Sequence, residues 1–488
     1  MSKKYIWVLL AVLLCAGILW GYRYFTAVSY LSMLPSHPKV LAFVDWQRLS
    51  DENNMKEDDW QGLLPEGVDL MDTGIDWSEK SYAFISADEH VGLLVPVRDY
   101  NDLRAMFEGA AAKGICSGIE EYRGCSWTVY DGAWMIGFNS RALLVMGPGL
   151  GTDMDVLRRE MMLCFKQDKD KSGMASPLYA DLKGKDASLR MASELGVLPV
   201  VLGGEFLEDF SEQVVLRDGR ICADVCFSSH GVAIETEFVS DNPELDKYFD
   251  RLTRIGGHLE GDFTGNVPSD ALAWACINVD GSVLLDELRK NPVVRTLLLG
   301  LNMNVDADLI IKSIKGDVAV TVNAGAFQEN TDVLLTARLA DSEFLREADY
   351  WKESAAVRNG YLSFKDYGNN RFGVNVDGVQ IYFGVQGKTL YVTPEMRLTE
   401  HVDGGNGRTL SAWNDRIVKS RLFLWMNLKK LLHQPETGAI LRSSGAGEIG
   451  DDKLELFDAA VLHTADARRF TIELYTHEER NVLKDLLD

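Results

Sequence analysis

The sequence predicts an α+β protein: an N-terminal transmembrane helix, then two tandem homologous halves, mostly antiparallel sheets with helices packed on one face. Three observations carry that expectation. Short strand-like runs alternate with helical patterns and are joined by tight-turn signals rather than long crossovers. The chain repeats its own frame at an offset of about 233 residues. An uncharged apolar run stands near the start.

The repeat sets the organisation. Leu34-Pro35-Ser36, then Ala42-Phe43-Val44-Asp45, returns without a gap as Val267-Pro268-Ser269, then Ala275-Cys276-Ile277-Asn278. Lys80-Ser81-Tyr82-Ala83-Phe84 is echoed from Lys315 to Val320, and Val97-Arg98-Asp99 with Leu103 by Leu339-Ala340-Asp341 with Leu345. Tyr130-Asp131-Gly132 matches Val376-Asp377-Gly378, and Gly137 to Val145 matches Gly384 to Val392. The offset drifts upward, as longer loops in the second copy would cause. Strand cores and turns repeat; reactive polar residues do not. That pattern suits a scaffold or binding module better than an enzyme. The expected divisions are a cytoplasmic tip and anchor (1–30), a first copy (31–254), a linker (255–265) and a second copy (266–488).

The elements follow in order. In the first copy, turns at Pro35 and Pro38 lead into an apolar strand, Val40 to Val44. Ser81 to Ser86 and Val91 to Val97 read as paired strands around Ala87-Asp88-Glu89-His90. A helix is expected from Asp99 to Gly109, capped by Asp99 or Asn101, with Leu103, Met106 and Phe107 on one face. Strands from Ser126 to Tyr130, Trp134 to Phe138 and Ala142 to Met146 are separated by Asp131-Gly132 and Asn139-Ser140. A helix from Asp153 to about Phe165 leads into the polar loop Lys166 to Gly173. Strands from Arg220 to Phe227 and Val232 to Val239 and a helix from Asn242 to about Leu252 close the copy. The second copy runs through the same series. Its expected strands start at Leu272, Asp317, Asp332, Phe372, Val379, Thr389, Leu422 and Phe470, and its helices cover Asp341 to Trp351 and His477 to Leu487.

The N-terminus sets the expected address. Lys3 and Lys4 precede the apolar run from Tyr5 to Gly21, and Arg23 follows it. A helix over that run is about 25 Å long, and extension to Val28 with Arg23 snorkelling spans a bilayer. The positive-inside rule then puts the N-terminus in the cytoplasm and the remainder outside, as a single-pass protein. Two alternatives stand beside this anchor. A signal peptide ending at Ala27-Val28-Ser29 has small residues at the cleavage positions. Lipidation would use Cys15, with Leu14 in the place usually held by a small residue.

Bulk chemistry narrows the partners. At 488 residues and 46% hydrophobic content the chain can bury two sizeable cores. Its net charge of −23 disfavours nucleic acid and an anionic lipid surface, both of which recruit Lys and Arg, and leaves basic proteins or divalent cations open. Of seven cysteines, Cys15 lies in the apolar run. Cys116 and Cys125 flank a Gly-containing segment and form the one pair considered for a disulfide. Cys222 and Cys226 fall on one strand, about 13 Å apart and too far to bond.

Candidate chemistry is sparse. Gly147-Pro148-Gly149-Leu150-Gly151-Thr152 stands between a strand and a helix, where a phosphate would meet a helix N-terminus, but its spacing is neither a dinucleotide nor a Walker pattern. Asp168-Lys169-Asp170-Lys171-Ser172-Gly173 imitates half a calcium loop, yet Tyr179 occupies the place of the bidentate Glu. Ser36-His37-Pro38-Lys39, Ser240-Asp241-Asn242 and Lys171-Ser172-Gly173 spell serine-enzyme motifs in the wrong chain order. The eight histidines have no metal-ligand spacing, and Asp45 and Asn278, each ending a first strand, are read as caps of the following turn. No catalytic, cofactor-binding or metal-binding residue is therefore assigned, and no cofactor is expected.

The anchor, the Leu-Pro-Ser start, the first strand ending in Asp45 or Asn278 and the later Asp-Gly hairpin resemble a Bacteroidetes cell-envelope family defined only as a domain of unknown function. The resemblance covers most of 31–488; Leu14-Cys15 departs from the lipoprotein form of its members. It implies a bacterial envelope setting and brings no catalytic residues. The functional expectation is a membrane-anchored periplasmic non-catalytic binding or assembly protein, held in the membrane by its N-terminal helix and working with an envelope protein partner. The ligand is unidentified. The alternative is an envelope hydrolase or ligand-sensing enzyme with a site assembled between the two copies.

Overall fold

The computed structural model describes residues 30–62, 70–122, 124–149, 153–197, 219–302, 306–323, 332–357, 362–376, 379–402, 409–434 and 451–487. The apolar run expected as an anchor, and the turn at Asp377-Gly378, lie outside the described residues. Among the described residues no helix is long and apolar enough to cross a membrane. The chain is a mixture of helix and strand, and every described strand pair is antiparallel. It divides into two compact units, 1–199 with 217–227 and 483–488, and 200–216 with 228–482.

The first unit holds strands β1 (Val40–Val44), β2 (Ser81–Ile85), β3 (Val91–Pro96), β4 (Glu120–Tyr122), β5 (Cys125–Tyr130), β6 (Trp134–Phe138), β7 (Ala142–Gly147), β8 (Leu189–Glu194) and β9 (Gly219–Ser228). Pairing puts them in the order β9-β8-β1-β2-β3-β7-β6-β5-β4. Leu41 and Phe43 alternate into the core from β1, as a strand's period of two requires. Gly92 lies where a Cβ would stand 2.1 Å from the Phe84 ring, so β3 must carry a glycine for that ring to lie flat across it.

Helices accompany this sheet, a short one at Glu57–Gln61 among them. Helix α1 (Trp46–Asn53) is capped by Asp45, whose side chain accepts the Arg48 N–H, as the sequence indicates. Helix α2 (Tyr100–Ala112) is capped by Asp99, not Asn101, and lays Leu103 and Phe107 against Val95, Phe138 and Leu143. Helix α3 (Asp153–Lys166) runs one residue past its expected end. Helix α4 (Pro177–Leu182) and strands β4 and β8 are not anticipated: β8 follows a polar stretch and carries Arg190 and Glu194, which hide its apolar alternation.

The second unit holds β10 (Gly231–Ser240), β11 (Ala271–Asp280), β12 (Ile314–Asn323), β13 (Val333–Leu339), β14 (Leu362–Gly368), β15 (Arg371–Val376), β16 (Val379–Gln386), β17 (Thr389–Thr393), β18 (Leu422–Asn427), β19 (Ala459–Thr464) and β20 (Arg469–Tyr475). Their order is β10-β20-β19-β18-β11-β12-β13-β17-β16-β15-β14. Trp274 and Phe423, both essentially inaccessible, centre one core; Phe344, Trp351 and Phe372 fill another.

Helix α5 (Pro243–Ile255) starts one residue after the expected Asn242, which caps it, has Pro at its first position and runs past the expected end at Leu252. Helices α6 (Gly281–Leu288), α7 (Pro292–Asn302) and α8 (Ala307–Ser313) are unanticipated, because Asn278 does not end its strand. The strand continues to Asp280, and Asp280 caps α6 by accepting from Ser282 N and Val283 N. The helix expected from Asp341 begins instead as a 3₁₀ turn, Glu343–Glu347, before α9 (Ala348–Val357). Asp341 accepts from Glu343 N and lies near the Ser313 hydroxyl, which tightens that start. The closing helix covers only Val482–Leu487, since Arg480 N is bonded to Ser229 O. The segment expected as a linker is bonded into the unit: Leu259 is buried in the Trp274 core.

Candidate functional site

The strongest site-like feature lies in the first unit, between α3 and strands β5 and β6. Helical spacing sends Leu157, Met161 and Cys164 of α3 inward, while Arg158, Arg159, Leu163 and Lys166 stay exposed. Beneath the helix, Gly137 of β6 removes a side chain where one would collide. A Cβ there would stand 2.6 Å from Met161 Sδ and 2.8 Å from the Phe165 ring. The chain beside that close approach leaves a cavity of about 610 Å³, walled by Trp127, Met135, Met161, Met162 and Phe165. The size falls within the range of small-molecule pockets. Three methionines in the wall give it a soft, repackable surface.

Its mouth is polar. The Arg158 guanidinium lies 4.1 Å from the Trp127 ring centroid and Lys166 Nζ 5.7 Å from that of Tyr122, so both cations rest on aromatic faces. Arg159 donates its Nε–H to Asp155 O at 3.1 Å. Glu120 and Glu121 of β4 also border the cavity, and Glu121 is paired with Arg104. Burial pushes the Cys125 thiol of the lining up, against a hydrogen bond with Asn139. A more polar hollow of about 680 Å³ adjoins at Leu163 and Lys166 and reaches Ser36, His37 and Ser172.

Two other clusters are built around charge. At the β1 end, Trp46 meets Trp60 and Trp77 edge-on at 5.4 and 5.6 Å and donates its Nε1–H to Ser81 Oγ at 2.8 Å. Lys80 Nζ sits 3.8 Å from the Phe43 ring centroid and 3.9 Å from Asp45 Oδ2. Burial pulls the Lys80 ammonium down, and the Asp45 charge opposes that pull. The Tyr30 hydroxyl donates to Lys80 O at 2.8 Å, and burial pushes its phenol up. These contacts brace the chain entry and leave no group aimed at a reacting atom.

In the second unit Asp317 is fully buried and accepts the backbone N–H groups of Glu260 (3.0 Å), Gly261 (2.8 Å) and Asp262 (3.3 Å), with the Asn278 amide at 3.0 Å. Its two oxygens are saturated by protein donors, which makes it a fastener for the 260–262 loop. Beside it, burial pushes the Cys276 thiol up, with Asp317 and Asp262 adding to the effect.

The motifs raised from the sequence fall elsewhere. In the glycine-rich turn, Gly149 N donates to Ala133 O at 2.8 Å; Leu150, Gly151 and Thr152 lie outside the described residues. Asp168 to Gly173 forms two 3₁₀ turns with Ser172 capping the second, and Asp168 and Asp170 are exposed. Among the described residues no group of three His, Cys, Asp or Glu is placed to hold a metal. Lys39 pairs with Glu89 at 2.8 Å, and Ser240 Oγ accepts the Asn242 N–H at 2.9 Å, so both serve local structure. Cys116 and Cys125 are both unbonded; Cys116 Sγ contacts Phe107 O at 3.8 Å. His90 pairs with Glu160 at 2.7 Å. Sequence reasoning misses the cavity itself, since its determinant, Gly137 opposite Met161 and Phe165, exists only after β6 and α3 meet. The adjacent Arg158-Arg159 and Met161-Met162 pairs are the available signal.

A family model described as "Domain of unknown function (DUF4836)" matches residues 53–404. No curated protein matches the chain. Among solved structures, crystal form IV of TP0453 is similar at 8% identity and a TM-score of 0.27, covering 48% of this chain and 88% of that one. Crystal form III is similar at 10% identity and a TM-score of 0.26, covering 48% and 89%.

Proposed function

The chain belongs to the DUF4836 family, a domain of unknown function, and from that premise we propose that it is a non-catalytic binding protein of the bacterial envelope with its binding site in the cavity beneath α3. In this reading its anchor in the inner membrane is the apolar run from Tyr5 extended to Val28, its bulk is periplasmic and its partner is an envelope protein. One observation carries the binding reading: a cavity of about 610 Å³ walled by methionine and aromatic side chains. Such a wall offers dispersion and desolvation to an apolar ligand.

The two units are further proposed to be homologous copies. Adding ten to each strand number turns β8-β1-β2-β3-β7-β6-β5-β4 into β18-β11-β12-β13-β17-β16-β15-β14, the order of the second unit. Asp45, next after β1, lies beside Lys80, next before β2, and Asn278 within β11 lies beside Asp317 within β12. The cavity belongs to the first series: its determinant Gly137 aligns with Gly384, whose Cβ position is crowded instead by the Tyr391 hydroxyl at 2.4 Å.

The test is photolabelling of the full chain in isolated membranes with a diazirine-bearing dodecanol. Labelled peptides should map to 120–137 and 153–166 and vanish in Met162→Trp, which fills the cavity. Labelling spread evenly over the chain, or unchanged in that variant, would refute a binding cavity. A gentle-detergent pull-down of the full chain beside a form starting at Tyr30 tests the anchor: partners should be retained by the full chain, and loss from neither form removes the anchor's role in assembly.

A further inference from the structure

We infer that the ligand is a single-chain anionic amphiphile, its chain in the cavity beneath α3 and its head between Arg158 and Lys166. This rests on the reading of that cavity as a binding site and adds the chemistry of what enters it.

Charge at the cavity mouth runs against the trend of the molecule. The chain carries −23 overall, yet the cavity mouth gathers three cations, Arg158, Arg159 and Lys166, against Glu120 and Glu121. Glu121 is already engaged by Arg104, so the mouth holds a local excess of positive charge. Arg158 and Lys166 have no carboxylate partner among the described residues; each lies over an aromatic ring, Trp127 and Tyr122. A guanidinium resting on a ring keeps its N–H edge free for an oxygen acceptor, and a carboxylate or phosphate meets that edge with charge-assisted hydrogen bonds. The overall negative charge still repels an anionic membrane surface; the mouth selects one anionic head at a time.

The apolar part follows from the wall. Trp127 and Met161 are 8% and 1% exposed, and Met135 is 1% exposed, so the cavity floor is built of buried apolar side chains. A space of about 610 Å³ suits one acyl chain. The adjoining polar hollow at Leu163 and Lys166 gives a larger head somewhere to lie. A fatty acid and a lysophospholipid share this chemistry, and the mouth reads what they share.

The experiment uses the full chain in isolated membranes and the diazirine dodecanol label as reporter. Competitors are palmitate, lysophosphatidylglycerol, palmitoyl alcohol and butyrate. Palmitate or lysophosphatidylglycerol should displace the label at least tenfold better than palmitoyl alcohol, and butyrate should not displace it. Whichever of the two acids competes at lower concentration identifies the source. In the Arg158→Gln/Lys166→Gln variant the advantage of the acids over the alcohol should fall to within twofold while labelling persists. Equal competition by acid and alcohol in the unmodified chain overturns the head-group assignment and leaves the cavity standing. Absence of labelling at 120–137 and 153–166 overturns both.

Discussion

Asn278 and Asp317 stand directly opposite each other on β11 and β12, and the Asn278 amide donates to the Asp317 carboxylate at 3.0 Å. Asn278 Oδ1 in turn accepts the Gly257 N–H at 2.9 Å, so the two side chains sew the 257–262 segment to the sheet. Asp317→Ala would strand several buried donors. The expected loss is about 3 kcal/mol or more, read from urea denaturation followed by tryptophan fluorescence. Asp317→Asn keeps two acceptor lone pairs and should lose about half as much. Equal stability of Asp317→Ala and the unmodified chain would contradict this role.

Gly137 controls how near α3 comes to β6. Gly137→Ala sets a methyl group 2.6 Å from Met161 Sδ, so the helix or the methionine must move. Overpacking of this kind costs about 1–3 kcal/mol. The variant should lower the thermal midpoint and change labelling of the cavity together, whereas Gly109→Ala, in open space inside α2, should leave labelling unchanged and raise the midpoint through helix propensity.

Glu473 gives the second unit a predictable acid response. Burial raises its carboxyl, but the hydrogen bond from His463 and the Arg416 charge outweigh that and hold it below the usual 4.5. A carboxylate whose folded value lies below its unfolded one contributes stability above the unfolded value and loses it as pH falls through the folded one. Tyr475 also donates to Glu473 at 2.7 Å. Glu473→Gln should therefore cost about 1–3 kcal/mol at neutral pH. The deficit should shrink as pH drops below 4.5. A deficit independent of pH would contradict the charge-based account.

Thiol chemistry separates the cysteines. Burial pushes Cys164 up to about 12 and Cys276 further, so neither should react with iodoacetamide at pH 8 in the folded chain. Cys226 is exposed on β9 and should react first. Cys116 and Cys125 are unbonded, so both should be alkylated in unfolded chain without prior reductant. A peptide pair two mass units light at these positions would refute that.

Much of the frame is legible in local sequence. Val40–Val44 and the β5–β6–β7 series are bounded by turn residues, and Asp45, Asp99 and Asn242 announce helix starts through short side chains that reach backbone N–H groups. Errors arise where a local signal has two uses. Asn278 reads as a cap but is drawn to Asp317, and the cap passes to Asp280. Asp341 reads as a helix start but tightens a 3₁₀ turn first. Strand β8 escapes because Arg190 is spent on Asp224, an ion pair that only the neighbouring strand supplies. The cavity is illegible for the same reason: Gly137, Trp127 and Met161 are unremarkable until β5, β6 and α3 face one another.

Native mass spectrometry of the full chain as isolated from its source cells tests the central claim most directly. The account predicts about one bound single-chain amphiphile per chain, absent from Met162→Trp prepared identically. An unloaded chain, or the same load in both proteins, would contradict it.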